Sequence, residues 1–315
     1  MQVEAVNVVE VDPVPRKPPK VSVCVMTYNQ EKYIAECLQS IVDQEFDSDF
    51  EIIVADDCST DGTSKIIKNF AQKYPCLIIP VLHQKNVGVG LNYRSAHDRA
   101  RGEYVAHCDG DDMWLPGKLA YQVNLLDGNP QASQCWGCAY LIDDEGKKIG
   151  IFPSRIARLL YPTIVTAKDI ALSYALVGQH STQMYRRKFK VDFDTSKPVL
   201  DFWMAFNMAL NGPAIYSKKI VGGYRMTATP SMTRAQSNRR ATVDFLAMHL
   251  SDIIKMQPEY AQEAKTNMVV RKVLSKSRGH DLGTISNKLY SNRSTNISVT
   301  GFVKSVWYFL LQKAF

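Results

Sequence analysis

Three carboxylates crowd one short stretch of this chain, CDGDDMWLPGK, from Cys108 to Lys118. Asp109, Asp111 and Asp112 repel one another unless something of opposite charge is shared among them. A hard divalent cation does this, because Mg2+ and Mn2+ take oxygen ligands and divide them between carboxylates and substrate phosphates. Gly110 permits a tight turn between the first two acids. Two bland alternatives stand beside this reading: a solvated turn, or a helix N-cap in which Asp112 starts the stretch WLPGKLAYQ.

The elements that must carry these acids are legible as a repeat. VSVCVM (21–26) is short, β-branched and apolar, and reads as a buried strand running into polar TYN. EKYIAECLQSIVDQ has Tyr33, Ile34, Cys37, Leu38, Ile41 and Val42 at helical spacing, with Asn29 as a candidate cap. FEIIVADD is a second strand ending in Asp56 and Asp57. A helix follows, capped by Ser59 or Thr60, and then a third strand, LIIPVLH. A Gly-rich loop, KNVGVGLN, leads into the helix YRSAHDRARG, and EYVAHCDGDD is a strand ending in acids. Strand and helix in alternation predict a doubly wound, mostly parallel sheet, which binds ligands beyond the carboxyl ends of its strands. One rim would then collect Thr27, Tyr28, Asn29, Asp56, Asp57, Asp109, Asp111 and Asp112.

The second half is less regular. KLAYQVNLLDGNP predicts a helix with Leu119, Val123 and Leu126 on one face, and SQCWGCAYLIDDEGKKIG a hairpin turning at DEGK. TAKDIALSYALVG predicts a helix capped by Thr166, QHSTQMYRR a strand, LDFWMAFNMALNG a helix and PAIYSKKIVGGYRM a strand. We divide the chain into an extended arm (1–20, with Pro13, Pro15, Pro18 and Pro19), a catalytic domain (21–235) and a helical C-terminal region (236–315).

These segments, in this order, resemble the family 2 glycosyltransferases over roughly Val21 to Leu210. The resemblance implies an α/β, Rossmann-like GT-A fold with helices flanking the sheet and a helical C-terminal extension. It implies an inverting transferase that moves a sugar from a nucleotide-diphosphate sugar, UDP-linked by expectation, to a hydroxyl of a glycan or lipid-linked acceptor, with Mn2+ or Mg2+. By motif, Thr27, Tyr28, Asn29 and Glu31 would meet the nucleotide, as would Asp57 with Asp56 beside it, and Arg94 after the Gly-rich loop. Ordinary packing of Tyr28 and capping by Asp56 remain alternatives. Asp111 would ligate the metal, with Asp109 on metal or ribose. Asp112, Trp114, His180 and Trp203 would line the sugar and acceptor pocket; a core position for Trp114 and a structural role for His180 remain alternatives.

The reaction also needs a base, because the attacking hydroxyl must lose its proton. The family places it in an acidic motif opening a helix. Here VLDFWMAF lacks the first acidic pair and keeps Asp201, two residues before Trp203. Asp201 is therefore the expected base, with an N-cap as its alternative. In YRMTATPSMT, Thr227 stands where the family often carries a His, so no His ligand is expected from that segment. Arg225 and Ser231 are expected to face the diphosphate.

Composition narrows the remaining classes. Of 315 residues, 45% are hydrophobic and 22% charged, an ordinary globular balance, and the formal net charge is +7. The basic surplus lies after residue 185 and reads either as a solvated surface or as attraction to an anionic lipid surface or substrate. No recognition motif points to nucleic acid. Seven cysteines, mostly inside apolar runs, read as buried thiols in a reducing compartment. The N-terminus does not read as a signal peptide, and the expected location is the cytoplasm, or the inner face of the cell membrane. The tail FVKSVWYFLLQKAF shows Val303, Val306, Trp307, Leu310 and Ala314 on one helical face. It must dock on the catalytic domain, on a membrane interface or in a homodimer. Two other classes stay open. A nucleotidyltransferase would carry a phosphate loop where this chain has TYNQE. A non-catalytic sugar-nucleotide-binding protein would explain the missing acidic pair.

Overall fold

The structure, a computed structural model, describes residues 17–195, 201–226, 236–276 and 298–313. Most of the N-terminal arm, Thr227, Ser231, Ala314 and the expected domain boundary at 235 lie outside them.

The predicted alternation is present. Strands β1 (Val21–Thr27), β2 (Phe50–Asp56), β3 (Ile78–Leu82) and β4 (Tyr104–Asp109) are parallel, in the order β3-β2-β1-β4. Their β-branched and small residues are buried on both faces because helices cover both. Helix α1 (Ile34–Val42) buries Ile34, Cys37, Leu38 and Ile41, the face predicted from spacing. With α2 (Thr63–Lys73) it closes one side of the sheet, and α3 (Val89–His97) closes the other. The expected caps differ. Tyr33, not Asn29, occupies the N-cap of α1, and Gly62 that of α2. Asn29 instead adopts a left-handed backbone (φ 52°) and takes the Thr60 amide at 2.8 Å.

The second half turns the sheet mixed. After β5 (Met113–Trp114) and α4 (Lys118–Asp127) come β6 (Gln134–Ile142) and β7 (Lys148–Phe152), the predicted hairpin. Helix α5 (Arg155–Leu160), β8 (Ile164–Val165) and α6 (Ala167–Leu172) follow, the last opened by a capping box between Thr166 and Asp169. The segment expected as one strand from Gln179 divides into a 3-10 turn, His180–Thr182, and a short strand β9 (Met184–Arg186). Strand β9 runs antiparallel to both β4 and β6 and joins the two halves. Helix α7 (Asp201–Ala209) and β10 (Ala214–Arg225) complete the sheet, with β10 parallel to β6.

Among the described residues, three C-terminal helices, α8 (Gln236–Met256), α9 (Ala261–Lys276) and α10 (Val299–Lys313), pack onto this frame. Leu246, Leu250, Ile253, Met268, Tyr308 and Leu311 share one apolar core with Trp136, Phe202 and Phe206. The tail helix therefore docks on the sheet-bearing part of the chain.

Candidate active site

Register places the polar strand ends side by side. Thr27 pairs with Asp56 across β1 and β2, and Met26 with Asp109 across β1 and β4. Each strand is satisfied up to its last residue, so the side chains just beyond it form a rim facing outward from the sheet.

The β2 acids build the loops of this rim. Asp57 is buried and accepts the amides of Val87 at 2.6 Å and Gly88 at 3.0 Å, fixing the Gly-rich loop at the start of α3. Gly88 there has φ 85°, which favours glycine. Asp56, fully buried, accepts the hydroxyls of Ser59 and Ser64. Glu31 takes the Gly62 amide at 2.9 Å. Asn29, Glu31, Asp56 and Asp57 are thus committed to shaping the loops around Thr27 and Tyr28. Tyr28 itself is exposed. Beside it, Thr27 Oγ1 and Gln30 Oε1 are buried without hydrogen-bond partners. Both border the space left by Gly110, where a Cβ would meet Gln30 Oε1 at 2.6 Å and Thr27 Oγ1 at 2.9 Å. Arg94 projects from α3 and pairs with Asp98 at 3.5 Å and Asp192 at 3.6 Å.

The three acids of the opening stretch separate. Asp112 turns inward and is 1% exposed. Its carboxyl accepts the Arg225 amide at 2.8 Å, Gln179 Nε2 at 2.8 Å and the Ser181 hydroxyl. Burial, followed by the charges of Asp111 and Asp109, pushes its pKa well up. Asp111 is half-buried in the turn, and its carbonyl accepts Arg225 Nε at 2.8 Å. The Arg225 guanidinium also bonds the carbonyls of Asp143 and Asp144 and the carboxylate of Glu36. Arg225 is thus buried as a tie between the acidic turn and the β6–β7 hairpin, not directed at a diphosphate.

Asp109 looks outward and is held by an imidazole. His107 lies two residues earlier on the same face of β4, and its Nε2 stands 3.1 Å from Asp109 Oδ1. Behind it, His107 Nδ1 meets His97 Nε2 at 3.1 Å, and His97 Nδ1 meets the Tyr185 hydroxyl at 2.8 Å. Loss of hydration raises the Asp109 pKa, but His107, His180 and Ser181 outweigh it and hold the carboxylate below its ordinary value. Burial pushes His97 and His107 the other way, towards neutral imidazoles.

His180 joins this group from the 3-10 turn. Its ring stacks on His107 with centroids 3.7 Å apart, and its Nδ1 lies 3.4 Å from Asp201 Oδ1. Its Nε2 is buried without a partner. One ligand atom each from His107, Asp109 and His180 falls within 4.8 Å of the others. A divalent cation therefore fits this corner of the rim. The nitrogen-rich donor set shifts preference from Mg2+ towards Mn2+ or a later transition metal. Asp111, the expected ligand, is outside this trio. A cation held by these residues would supply positive charge to an anionic group at the rim.

Two residues expected in the pocket make inward contacts. Trp114 is 2% exposed and sits in the core; its indole N–H donates to the Ser181 carbonyl at 3.1 Å, and Lys118 Nζ lies 3.9 Å from its ring. Trp203 stacks on His249 of α8 at 5.1 Å and packs against the C-terminal core. Both support the site from behind. Asp112 belongs with them. The residues that the sequence reading missed are His107, His97, Gln179 and Ser181. Of these His107 carried a signal, its two-residue spacing from Asp109 on a strand.

The parallel sheet with its rim of acids at the strand ends has the architecture of a GT-A fold, and the comparisons agree. The profile for glycosyl transferase family 2 matches residues 22–190, more than half of the chain. This protein belongs to that family. It is 33% identical over 224 residues to Uncharacterized protein Rv1520 of Mycobacterium tuberculosis, covering 70% of this chain and 62% of that protein. The chain thus spans about three-fifths of such relatives. The structure of Staphylococcus aureus TarS 1–349 in complex with UDP-GlcNAc superposes with a TM-score of 0.60 at 21% identity, covering 93% of this chain and 81% of TarS 1–349. The mannosyltransferase PcManGT of Pyrobaculum calidifontis, in complex with GDP-Man and Mn2+, also gives 0.60, at 19% identity, covering 97% and 90%. At these identities the likeness is one of fold.

Proposed function

We propose that this glycosyltransferase moves a sugar from a UDP-sugar to a hydroxyl of a glycan or lipid-linked acceptor, with inversion and with Asp201 as base. The observation that carries the reading is the placement of Asp201. It opens α7, its side chain is 41% exposed, and it faces His180 at 3.4 Å next to the Asp109 corner. A carboxylate there can take the acceptor proton while the donor diphosphate occupies the rim beyond Thr27 and Asp109. His180 Nδ1 holds the carboxylate in orientation. The loops fixed by Asp56, Asp57 and Glu31 supply a preformed wall for the nucleotide, and Thr27 Oγ1 and Gln30 Oε1 offer it unspent polar atoms. His107, Asp109 and His180 would hold the cation. The UDP preference is supported by the TarS complex as an analogy of fold.

The test is direct. Wild-type protein with Mn2+ is offered UDP-, GDP- and dTDP-sugars, and free nucleoside diphosphate is measured, alone and with added acceptors. Acceptor-stimulated UDP release, with the opposite anomeric configuration in the product, supports the proposal. Retained anomeric configuration, or release from GDP-sugars alone, overturns it.

A further inference from the structure

The tail helix has two apolar faces, and only one is used. Tyr308, Phe309 and Leu311 of α10 are buried, and Ser305 Oγ donates to the Leu172 carbonyl at 2.9 Å. On another side of the same helix Val299, Val303, Trp307 and Leu310 are exposed, Trp307 by 50% and Val299 by 78%. Their spacing of four, four and three residues makes one stripe along the helix. Docking the helix onto the domain thus accounts for Tyr308, Phe309 and Leu311 and leaves Val303, Trp307 and Leu310 facing solvent.

The stripe does not stand alone. Helix α10 packs against α5, where Ile156, Leu159 and Leu160 are also exposed, Leu159 by 68%. Ile164 of β8 follows within a few residues and is exposed too. A short helix with three exposed aliphatic side chains, beside a longer one with three and a tryptophan, is not the scattered exposure of an ordinary surface.

Charge selects the occupant. Neither α5 (RIARLL) nor α10 (VTGFVKSVWYFLLQK) contains a carboxylate, while Arg155 and Arg158 are interspersed with the apolar residues of α5. The nearby Asp169 is offset by Lys304 at 2.8 Å. Lys218 adds a further exposed cation, its Nζ 3.2 Å from the Leu159 carbonyl. Among the described residues no helix is long and apolar enough to cross a membrane. Apolar side chains with a basic fringe, on elements too short to span, are the composition of a surface that lies in a lipid interface. An exposed Trp suits the headgroup level.

We infer that the α5–β8–α10 face docks on an anionic phospholipid surface, with Leu159 and Trp307 as the inserting residues. The inference stands on exposure and charge and does not need the donor or the base to be as proposed above.

The experiment uses the full chain and vesicles of phosphatidylcholine with and without phosphatidylglycerol. Co-sedimentation is expected with the anionic vesicles, weakening as salt rises. Trp114, Trp136 and Trp203 are buried or half-buried, so quenching by brominated lipid reports mainly on Trp307, and Trp307→Phe should remove it. Leu159→Glu with Trp307→Glu should lower vesicle affinity by roughly tenfold or more. Donor binding by the same variant should be unchanged, which separates lost docking from lost folding. Three results overturn the inference: no binding of the wild type to anionic vesicles, binding that the double variant retains, or a self-association in ultracentrifugation that the double variant abolishes while vesicle binding is absent. The last would assign the face to a second copy of the chain.

Discussion

His180 Nδ1 stands 3.4 Å from Asp201 Oδ1, while the face of the same imidazole lies 3.7 Å from His107. One side chain therefore touches both the expected base and the residue that holds Asp109. Asp201→Asn should reduce transfer by about 10²- to 10⁴-fold and leave donor affinity intact, since it removes the proton acceptor without disturbing the rim. His180→Ala, at saturating Mn2+, should lower kcat by roughly tenfold with a smaller change in donor KM, because it loosens the carboxylate. Steady-state UDP release and calorimetry of donor binding read the two effects separately. Equal loss of both parameters in Asp201→Asn would mean that Asp201 binds donor.

The acid that the sequence assigned to the pocket carries a structural load. Asp112 receives hydrogen bonds from the Arg225 amide, Gln179 and Ser181, so β10, the 3-10 turn and the acidic turn meet on one buried carboxyl. Asp112→Asn substitutes an amide group that donates where donors already converge. The expected cost is about 1–3 kcal/mol in urea unfolding. Ser181→Ala should cost less, because Gln179 and Arg225 still satisfy the carboxyl. A variant Asp112→Asn as stable as wild type but unable to bind donor would return the residue to the pocket.

How much of this was legible depends on whether neighbours in sequence are neighbours in space. The strands ending at Thr27, Asp56 and Asp109 declare themselves by unbroken apolar runs, and parallel register then brings their ends together. Trp114 did not declare its direction. Met113 and Trp114 pair antiparallel with Gly223 and Gly222, and a Cβ on either glycine would press on Met113 at under 3 Å. That close approach, set by residues more than a hundred positions away, turns the indole into the core. The imidazole group is equally a product of tertiary structure: His97, His107 and His180 come from a helix, a strand and a turn. Arg225 is drawn inward by carbonyls of a hairpin that the sequence did show, at a position it did not.

The cation corner yields a discriminating measurement. If His107, Asp109 and His180 form it, nucleotide-free protein should bind Mn2+ more weakly in His107→Ala and in Asp109→Ala, by roughly 10- to 100-fold in calorimetry or EPR titration. Asp111→Ala should leave that binding nearly unchanged, and Mg2+ should bind less well than Mn2+. The reverse pattern, with Asp111→Ala abolishing binding and His107→Ala silent, would assign the ion to carboxylates alone.

A buried cation near the site gives a pH-dependent stability. Lys118 is 1% exposed, with Nζ bonded to Gln122 Oε1 at 2.6 Å and placed over the Trp114 ring. Burial pushes its pKa down from 10.5 to about 8. Between those values the unfolded chain holds a proton that the folded chain has released, so this group makes stability rise with pH from about 8 to 10.5. Below pH 8 both states are charged, and the buried charge costs the fold on the order of 3 kcal/mol, taking 1.36 kcal/mol per pKa unit. Lys118→Met keeps the volume and removes the charge, offset in part by the loss of the ring contact and of the Gln122 partner. The variant should therefore exceed wild type in urea unfolding at pH 7 by about 1–2 kcal/mol, with the difference shrinking as pH rises to 10. Tyrosine and cysteine ionisation also acts in that range, but it is common to both proteins and cancels in the difference. A gap that is constant with pH would show that Lys118 is not the titrating group.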